Sequence, residues 1–189
     1  MSPSPKRLDL RRANALLVDD NPQSLDLLTQ VLAGFRMREI KSCRSAAEAR
    51  DIVNSQGFDL ILIDFEMPDE DGLSLVRHIR SQQQLPNYTT PIVILHGFTP
   101  AGMVSRARDA GANMVVRKPI APSILLSRIE WIARNDREFV AADGYNGPDR
   151  RFRHIPLDED REERRADALA LVSDPTRALS QDEVSALFG

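Results

Sequence analysis

Residues 61–72 read Ile61-Leu-Ile-Asp-Phe-Glu-Met-Pro-Asp-Glu-Asp-Gly72, and this stretch decides the fold. It begins with an apolar run that is too short for a helix and lacks helical spacing, so it predicts a buried strand. Asp64 closes the run, and a carboxylate at the carboxyl end of a parallel strand lies where open α/β sheets bind ligands. Met67-Pro68 predicts an extended turn, and Gly72 precedes a helix. Alone, Asp64 would be read as a loop aspartate or a helix cap.

A second acidic site changes that interpretation. Residues 13–18 form another apolar run, and it ends on Asp19 and Asp20. Further strands are predicted at residues 38–43, 58–64, 91–95 and 114–116, alternating with five amphipathic helices. This alternation predicts an α/β fold with a parallel sheet covered by helices on both faces. The strand ends then deliver Asp19, Asp20, Asp64 and Lys118 to one edge of the sheet.

Three carboxylates at one edge raise one another's pKa unless a cation lies between them. Such oxygen ligands suit Mg²⁺, and a carboxylate can also act as a nucleophile that forms an aspartyl phosphate. A metal and a lysine would offset the charge of the transferring phosphoryl group. We therefore expect Asp64 to be the phosphoacceptor, Asp19 and Asp20 to hold the metal with it, and Lys118 to face the phosphate. The Glu66 backbone carbonyl can complete the metal shell. The alternative is a set of strand-end charges in ordinary salt bridges.

The motifs Asp19-Asp20, Asp64-x-x-Met67-Pro68-x-x-Asp71-Gly72 and Lys118-Pro119 resemble a known family. Together they are similar to the CheY-like receiver domain of two-component response regulators, over roughly residues 13–134. The resemblance implies a flavodoxin-like five-stranded parallel sheet of order 2-1-3-4-5. It also implies a signalling protein rather than an enzyme, which receives a phosphoryl group from a sensor histidine kinase or phosphotransfer protein and dephosphorylates itself.

Two positions depart from the family pattern. Where the family usually has a Thr or Ser that contacts the phosphoryl group, this chain has His96. An imidazole could donate there only in the suitable tautomer or as a cation. Three residues before Lys118 the family usually has Tyr or Phe, and here the residue is Val115. We expect intact acceptor chemistry without the usual output relay, and a partly exposed loop histidine at 96; the alternative is a phosphate-contacting or pH-sensitive group.

Composition limits the remaining possibilities. The 189 residues suit one domain with flanking segments, and the net charge of −3 implies no general affinity for nucleic acid. We expect a disordered basic arm over residues 1–12 and a charged, arginine-rich linker over 135–178, without a helix-turn-helix for DNA. The single Cys43 excludes an intramolecular disulfide framework. No apolar stretch is long enough for a bilayer, so we expect no membrane insertion and a cytoplasmic protein.

Residues 145–153 read Tyr145-Asn-Gly-Pro-Asp-Arg-Arg-Phe-Arg153 and place arginines beside aromatic residues. Arginines of this kind can grip phosphates, stack on purines and read the guanine edge. The segment resembles the arginine-rich extension of CheY-like proteins that bind cyclic di-GMP. By resemblance the ligand contacts would be Arg150, Arg151 and Arg153. The alternative is a solvated linker whose arginines pair with the acidic run at 158–163.

Residues 179–189 predict a short amphipathic helix. Ser180 and Glu183 form a capping box, and Val184, Leu187 and Phe188 share one helical face. A helix this short is marginal in water, so we expect it to fold against a partner. It resembles the receiver-binding peptides of the flagellar switch protein FliM and the phosphatase CheZ. We expect it to dock on a receiver, either its own around the fourth and fifth helices or that of another CheY-like protein, and inert packing is the alternative.

Three functions are compatible with these motifs. The leading one is a stand-alone response regulator that acts through protein–protein contacts in chemotaxis or flagellar motor control, with a CheY-like receiver or a flagellar switch component as partner. The second is a CheY-like effector in which the arginine segment senses cyclic di-GMP and phosphorylation is secondary. The third, a metal-dependent phosphohydrolase, is disfavoured because no second general acid/base aspartate follows Asp64 in a hydrolase-like arrangement.

Overall fold

The computed structural model describes residues 8–98, 101–135, 137–142, 144–150 and residue 181, and it alternates strands with helices. The strands of the main sheet are β1 (Asn14–Val18), β2 (Glu39–Cys43), β3 (Leu60–Asp64), β4 (Ile92–His96) and β5 (Met114–Arg117). The helices are α1 (Pro22–Gly34), α2 (Ala46–Ser55), α3 (Gly72–Ser81), α4 (Ala101–Ala110) and α5 (Pro122–Arg134). All five strands and five helices predicted over residues 13–134 are present, with boundaries within two residues of most predictions, whereas the helix predicted over residues 179–189 lies outside the described residues except for Gln181.

The strands form a parallel sheet in the order β2-β1-β3-β4-β5, which confirms the flavodoxin-like topology predicted from the sequence. All residues of β3 and β4 are buried, as expected for central parallel strands covered by helices on both faces. Val18 pairs with Ile63, Asp64 with Leu95, and His96 with Arg117. This register brings the carboxyl ends of β1, β3, β4 and β5 to one edge of the sheet.

The helices pack on the sheet through their apolar stripes. In α1 the buried side chains are Leu25, Leu28 and Leu32, spaced at three to four residues. The helix begins where the Asn21 side chain accepts hydrogen bonds from the backbone N–H groups of Gln23 and Ser24. This start fixes the position of the Asp19-Asp20 turn just before it.

Residues 8–12 belong to the fold, in contrast to the disordered arm expected over residues 1–12, whose first seven residues lie outside the described part of the chain. Leu10 is buried in the core, and its carbonyl accepts a hydrogen bond from the Ala13 N–H at 3.1 Å. Asp9 and Arg11 form an exposed ion pair beside it. Within the described residues, no helix has the length and apolar character that crossing a bilayer would require.

A β-hairpin follows α5 where the sequence was expected to form an irregular linker. Its strands are β6 (Phe139–Ala142) and β7 (Tyr145–Pro148), paired antiparallel. β7 lies against α3 and α4 at very close range, because a Cβ added at Gly147 would come within 2.7 Å of the Cα of Gly111. Only glycine allows this backbone-to-backbone approach.

Arg80 connects the hairpin to the core. Its side chain is fully buried, and Nε donates to the Gly111 carbonyl at 3.0 Å. The two terminal nitrogens donate to the carbonyls of Tyr88 at 2.6 Å and Thr90 at 2.8 Å. The guanidinium also lies 5.3 Å from the ring centroid of Phe139 in β6. Burial lowers the pKa of Arg80 to about 10, so it remains a cation held by carbonyl dipoles.

Candidate functional site

Three acidic side chains meet at the carboxyl edge of the sheet. Asp19 and Asp20 follow β1, and Asp64 is the last residue of β3. Their carboxylate oxygens lie within 4.8 Å of one another. Asp19 and Asp64 are buried, whereas Asp20 is partly exposed and lies toward the mouth of the cluster. The two aspartate sites singled out from the sequence therefore occupy one neighbourhood.

Lys118 reaches into this cluster from the end of β5. Its Nζ lies 2.8 Å from Asp19 Oδ2 and 2.7 Å from Asp64 Oδ1. Its backbone N–H donates to the carbonyl of His96 at 2.8 Å, which ties the Lys118 turn to the end of β4. A single ammonium group is thus shared by carboxylates from two different strands.

The surroundings shift the protonation of these groups. Burial raises the pKa of Asp64, and the nearby charges of Asp19 and Asp20 raise it further, against the opposing effect of Lys118. Burial disfavours the charged form of Lys118, but its hydrogen bonds to Asp19 and Asp64 outweigh burial, so its pKa is raised. The site therefore holds a lysine cation and a negative charge that one lysine does not fully offset.

The loop between β3 and α3 fixes the position of Asp64. The Gly72 N–H donates to the Phe65 carbonyl at 2.9 Å, and Asp71 caps α3 by accepting from the Ser74 N–H at 2.8 Å. A Cβ at residue 72 would clash with the backbone carbonyl of Asp64. Glycine is therefore required here, because α3 starts in direct contact with the backbone of Asp64.

The same loop is tied to α2. Asp69 accepts hydrogen bonds from the backbone N–H groups of Ala46 at 2.8 Å and Ala47 at 3.3 Å, at the start of that helix. Glu70 forms an ion pair with Arg50 at 2.7 Å, one turn further along α2. Sequence reasoning missed these contacts, since they link a loop to a helix about twenty positions earlier in the chain.

The aspartates after β1 are held from both sides. Asp19 accepts from the Asn21 N–H at 3.0 Å and from the Ser24 hydroxyl. Arg44 donates from its guanidinium to the Asp20 carbonyl at 3.1 and 3.2 Å. Neither Ser24 nor Arg44 was singled out from the sequence, and both orient the turn that presents the carboxylates.

His96 corrects the expectation of a partly exposed loop histidine. It is the last residue of β4, only 6% exposed, with its ring 4.6 Å from that of Phe65. Nδ1 lies 3.7 Å from the Glu66 carboxylate and makes no hydrogen bond within the described part of the chain. Burial lowers the His96 pKa and Lys118 adds to this, whereas Glu66 opposes it, so the neutral form is favoured. Val115 is fully buried in β5.

Mg²⁺ fits this donor set. The aspartates offer only oxygen ligands, which this ion prefers, and the mouth of the cluster at Asp20 is open to water. Burial raises the pKa of Asp64, and the charges of Asp19 and Asp20 add to this, so a further cation at the site would favour the ionised carboxylate. A contribution from the Glu66 backbone carbonyl stays an expectation.

The residues predicted in the tail fall mostly outside the described chain. Arg151, Arg153, Val184, Leu187 and Phe188 lie there. Arg150 is described: its guanidinium stacks 3.8 Å from the centroid of the Tyr145 ring and pairs with Asp109 of α4 at 3.1 Å.

Comparisons with known proteins agree with this geometry. The model of the response regulator receiver domain matches residues 15–130. The protein PetR of Rhodobacter capsulatus is 36% identical over 75% of this chain and 54% of its own length. The swarming motility regulation protein RssB of Serratia marcescens is 34% identical over 68% of this chain and 56% of its own length. The chain thus spans about half the length of these curated relatives.

A solved structure gives the same result for the fold. The chemotaxis protein CheY4 of Vibrio cholerae superposes with a TM-score of 0.59 at 26% identity, covering 64% of this chain and 98% of that protein. Receiver domains bind Mg²⁺ through acidic residues and interact with histidine kinases or phosphotransfer proteins, and an aspartate cluster is present here. By the match over residues 15–130, the chain belongs to the response regulator receiver domain family of two-component signalling.

Proposed function

We propose that this chain is a response regulator that accepts a phosphoryl group on Asp64 and acts through protein–protein contacts. The observation that carries the proposal is the sharing of Lys118 Nζ between Asp19 and Asp64, within an aspartate cluster open at Asp20. This arrangement puts a nucleophilic carboxylate beside a fixed cation and a set of metal ligands.

Each residue has a distinct part in the transfer. A carboxylate oxygen of Asp64 attacks the phosphorus of a partner's phosphohistidine; the new O–P bond forms as the P–N bond breaks, and the histidine nitrogen keeps the electron pair. Lys118, already 2.7 Å from Asp64, shifts its hydrogen bonds to the oxygens of the arriving group. Asp19 and Asp20 would hold Mg²⁺, which supplies positive charge against the phosphoryl oxygens when bound.

The direct test is labelling of the full chain by acetyl phosphate, followed by intact mass spectrometry. We expect one phosphoryl group per chain, formed only with Mg²⁺ present and absent in Asp64→Asn. Asp51→Asn is the matched control, because Asp51 is an exposed aspartate on α2. Labelling that persists in Asp64→Asn, or none in the wild type with Mg²⁺, would contradict the proposal.

The output of the phosphorylated chain would differ from the usual relay. Where the family usually has a Thr or Ser hydroxyl, this chain has His96, whose buried Nδ1 lies at the same edge of the sheet as Asp64. Where the family usually has Tyr or Phe, it has the buried Val115. A His96→Thr variant tests this difference: if His96 contacts the phosphoryl group, the lifetime of the aspartyl phosphate changes while labelling by acetyl phosphate is retained.

A role in chemotaxis or flagellar motor control is the most specific form of the proposal. Two features support it: the resemblance of residues 179–189 to receiver-binding peptides, and the similarity to a swarming motility regulation protein. Pull-down of a purified CheY-like receiver and of the flagellar switch protein FliM, with and without acetyl phosphate, tests it. A Phe188→Ala variant that binds the CheY-like receiver as well as wild type would count against the peptide assignment.

Cyclic di-GMP sensing is a second candidate, supported by the stacking of Arg150 on Tyr145. A planar cation on an aromatic ring is the kind of surface on which guanine stacks. Binding would require Arg150 to exchange its ion pair with Asp109 for a phosphate. Calorimetric titration with cyclic di-GMP should show heat that is lost when Arg150 and Arg151 are changed to Ala and kept in Arg12→Ala; no heat in the wild type would eliminate this candidate.

A further inference from the structure

The outer edge of β5 carries a contact that the phosphoacceptor chemistry does not use. Among the described residues, β5 is the last strand of the sheet, and the strand that pairs with it is β4. The outward N–H and C=O groups of such an edge strand have no strand partner and must be satisfied in another way. Here the partner of two of them is a side chain from far along the sequence.

Gln181 supplies that partner. Its Oε1 accepts a hydrogen bond from the backbone N–H of Arg117 at 2.9 Å, across a separation of 64 residues. Its Nε2 donates to the Val115 carbonyl at 3.5 Å. The side-chain amide therefore pairs with residues i and i+2 of the edge strand, as the peptide group of a sixth strand would. The shorter bond to Arg117 carries most of the interaction.

The sequence predicts which residues would share a helical face with Gln181. Gln181 is helical in the structure. Positions three and seven residues further along a helix share a face with it, and these positions are Val184 and Phe188. In the helix that the sequence predicts over residues 179–189, Gln181 would therefore share a face with two of the apolar residues.

Charge supports the same placement. Asp182 and Glu183 directly follow Gln181, and the strand residue that Gln181 contacts is Arg117. The next residue after Arg117 is Lys118, whose Nζ contacts Asp64. The strand residue that Gln181 contacts therefore directly precedes the cation of the acceptor site.

We propose that the C-terminal segment at residues 179–189 is an intramolecular ligand of this receiver, anchored on the outer edge of β5 by the side chain of Gln181. The free chain covers its own interaction surface with this segment. Any amphipathic helix from a partner that uses the same edge has to displace the segment first, and its apparent affinity is reduced by the fraction of chains in which the edge is covered. The proposal concerns the unphosphorylated chain and does not depend on Asp64 accepting a phosphoryl group.

Hydrogen exchange at one backbone amide tests the proposal. In ¹⁵N-labelled full-length chain, the Arg117 N–H should be protected, and Gln181→Ala should speed its exchange by roughly fivefold to tenfold, the protection that one hydrogen bond provides. Gln30→Ala, an exposed glutamine on α1, is the matched control and should leave Arg117 unchanged. Equal exchange in wild type and Gln181→Ala would overturn the proposal.

A second measurement separates binding within one chain from binding between chains. A nitroxide on Ala186→Cys should broaden the Arg117 signal to the same extent at high and tenfold lower protein concentration. The native Cys43 does not interfere, because it is buried and burial raises the pKa of its thiol to about 12. Broadening that disappears on dilution would assign the segment to a second copy of the chain, and absent broadening would remove the docking altogether.

Discussion

The lysine of the acceptor site allows a quantitative prediction from Lys118→Met. This change removes a cation from between Asp19 and Asp64 while keeping most of the side-chain volume. Removing one partner of a buried ion pair costs about 3–5 kcal/mol, because the remaining charges are left uncompensated. Lys118 is 27% exposed, so water screens part of this cost, and we expect a loss of about 2 kcal/mol without Mg²⁺.

The loss should be visible in thermal unfolding followed by circular dichroism. For a chain of this size, about 2 kcal/mol corresponds to a fall in Tm of about 4–8 °C. Mg²⁺ should raise the Tm of Lys118→Met more than that of the wild type, since the metal becomes the main cation among the carboxylates. Lys41→Met is the control, because Lys41 is exposed on β2 and its loss should cost less than about 0.5 kcal/mol.

Two results would refute this reasoning. Equal Tm values for Lys118→Met and Lys41→Met in Mg²⁺-free buffer would mean that the ammonium group does not compensate the buried carboxylates. An equal Mg²⁺ effect in the variant and the wild type would mean that metal and lysine do not share the same charge cluster.

Three further predictions concern other parts of the receiver. Arg80→Met should lower the free energy of unfolding, measured by urea titration, by about 3 kcal/mol, because three carbonyl groups around this buried side chain lose their hydrogen-bond donor. Arg77→Met is the control and should change the free energy little, because Arg77 is exposed on the same helix. Because burial raises the pKa of Asp64, its carboxyl group in Mg²⁺-free buffer should titrate at a higher pH than that of an exposed aspartate, and Mg²⁺ should lower this pKa, as followed by NMR of the side-chain carboxyl carbon. Gly72→Ala should slow labelling by acetyl phosphate, because the added Cβ displaces the backbone of Asp64. Gly34→Ala is the control, because a Cβ there meets no atom within 4 Å. Equal labelling rates for the two variants would show that the close contact at Gly72 is not needed.

The sequence was sufficient for the sheet because its signals are local. Central parallel strands are short apolar runs. In two of these runs the last apolar residue is followed directly by an aspartate: Val18 by Asp19, and Ile63 by Asp64. Since parallel strands share one carboxyl edge, spacing alone predicted that Asp19, Asp64 and Lys118 would meet.

The errors arose where burial depends on contacts from elsewhere in the chain. His96 follows an apolar run, but only its position as the last residue of β4, under the ring of Phe65, makes it buried. Arg80 lies at the end of a helix, where an arginine is normally solvated, and it is buried because loop carbonyls surround it. The hairpin lacks the alternating pattern of a strand pair, and its contact with α4 depends on glycines whose proximity no local pattern reveals.

The glycine contact between α4 and β7 has a mechanical consequence. At Gly111 and Gly147 no side chain lies between the two backbones, so there is no soft group whose rotamer could absorb relative motion. A shift of the C-terminal end of α4 must push β7 along with it or break the contact. The hairpin is therefore expected to move together with the C-terminal end of α4. A fluorophore attached to the hairpin turn would then report displacements of α4.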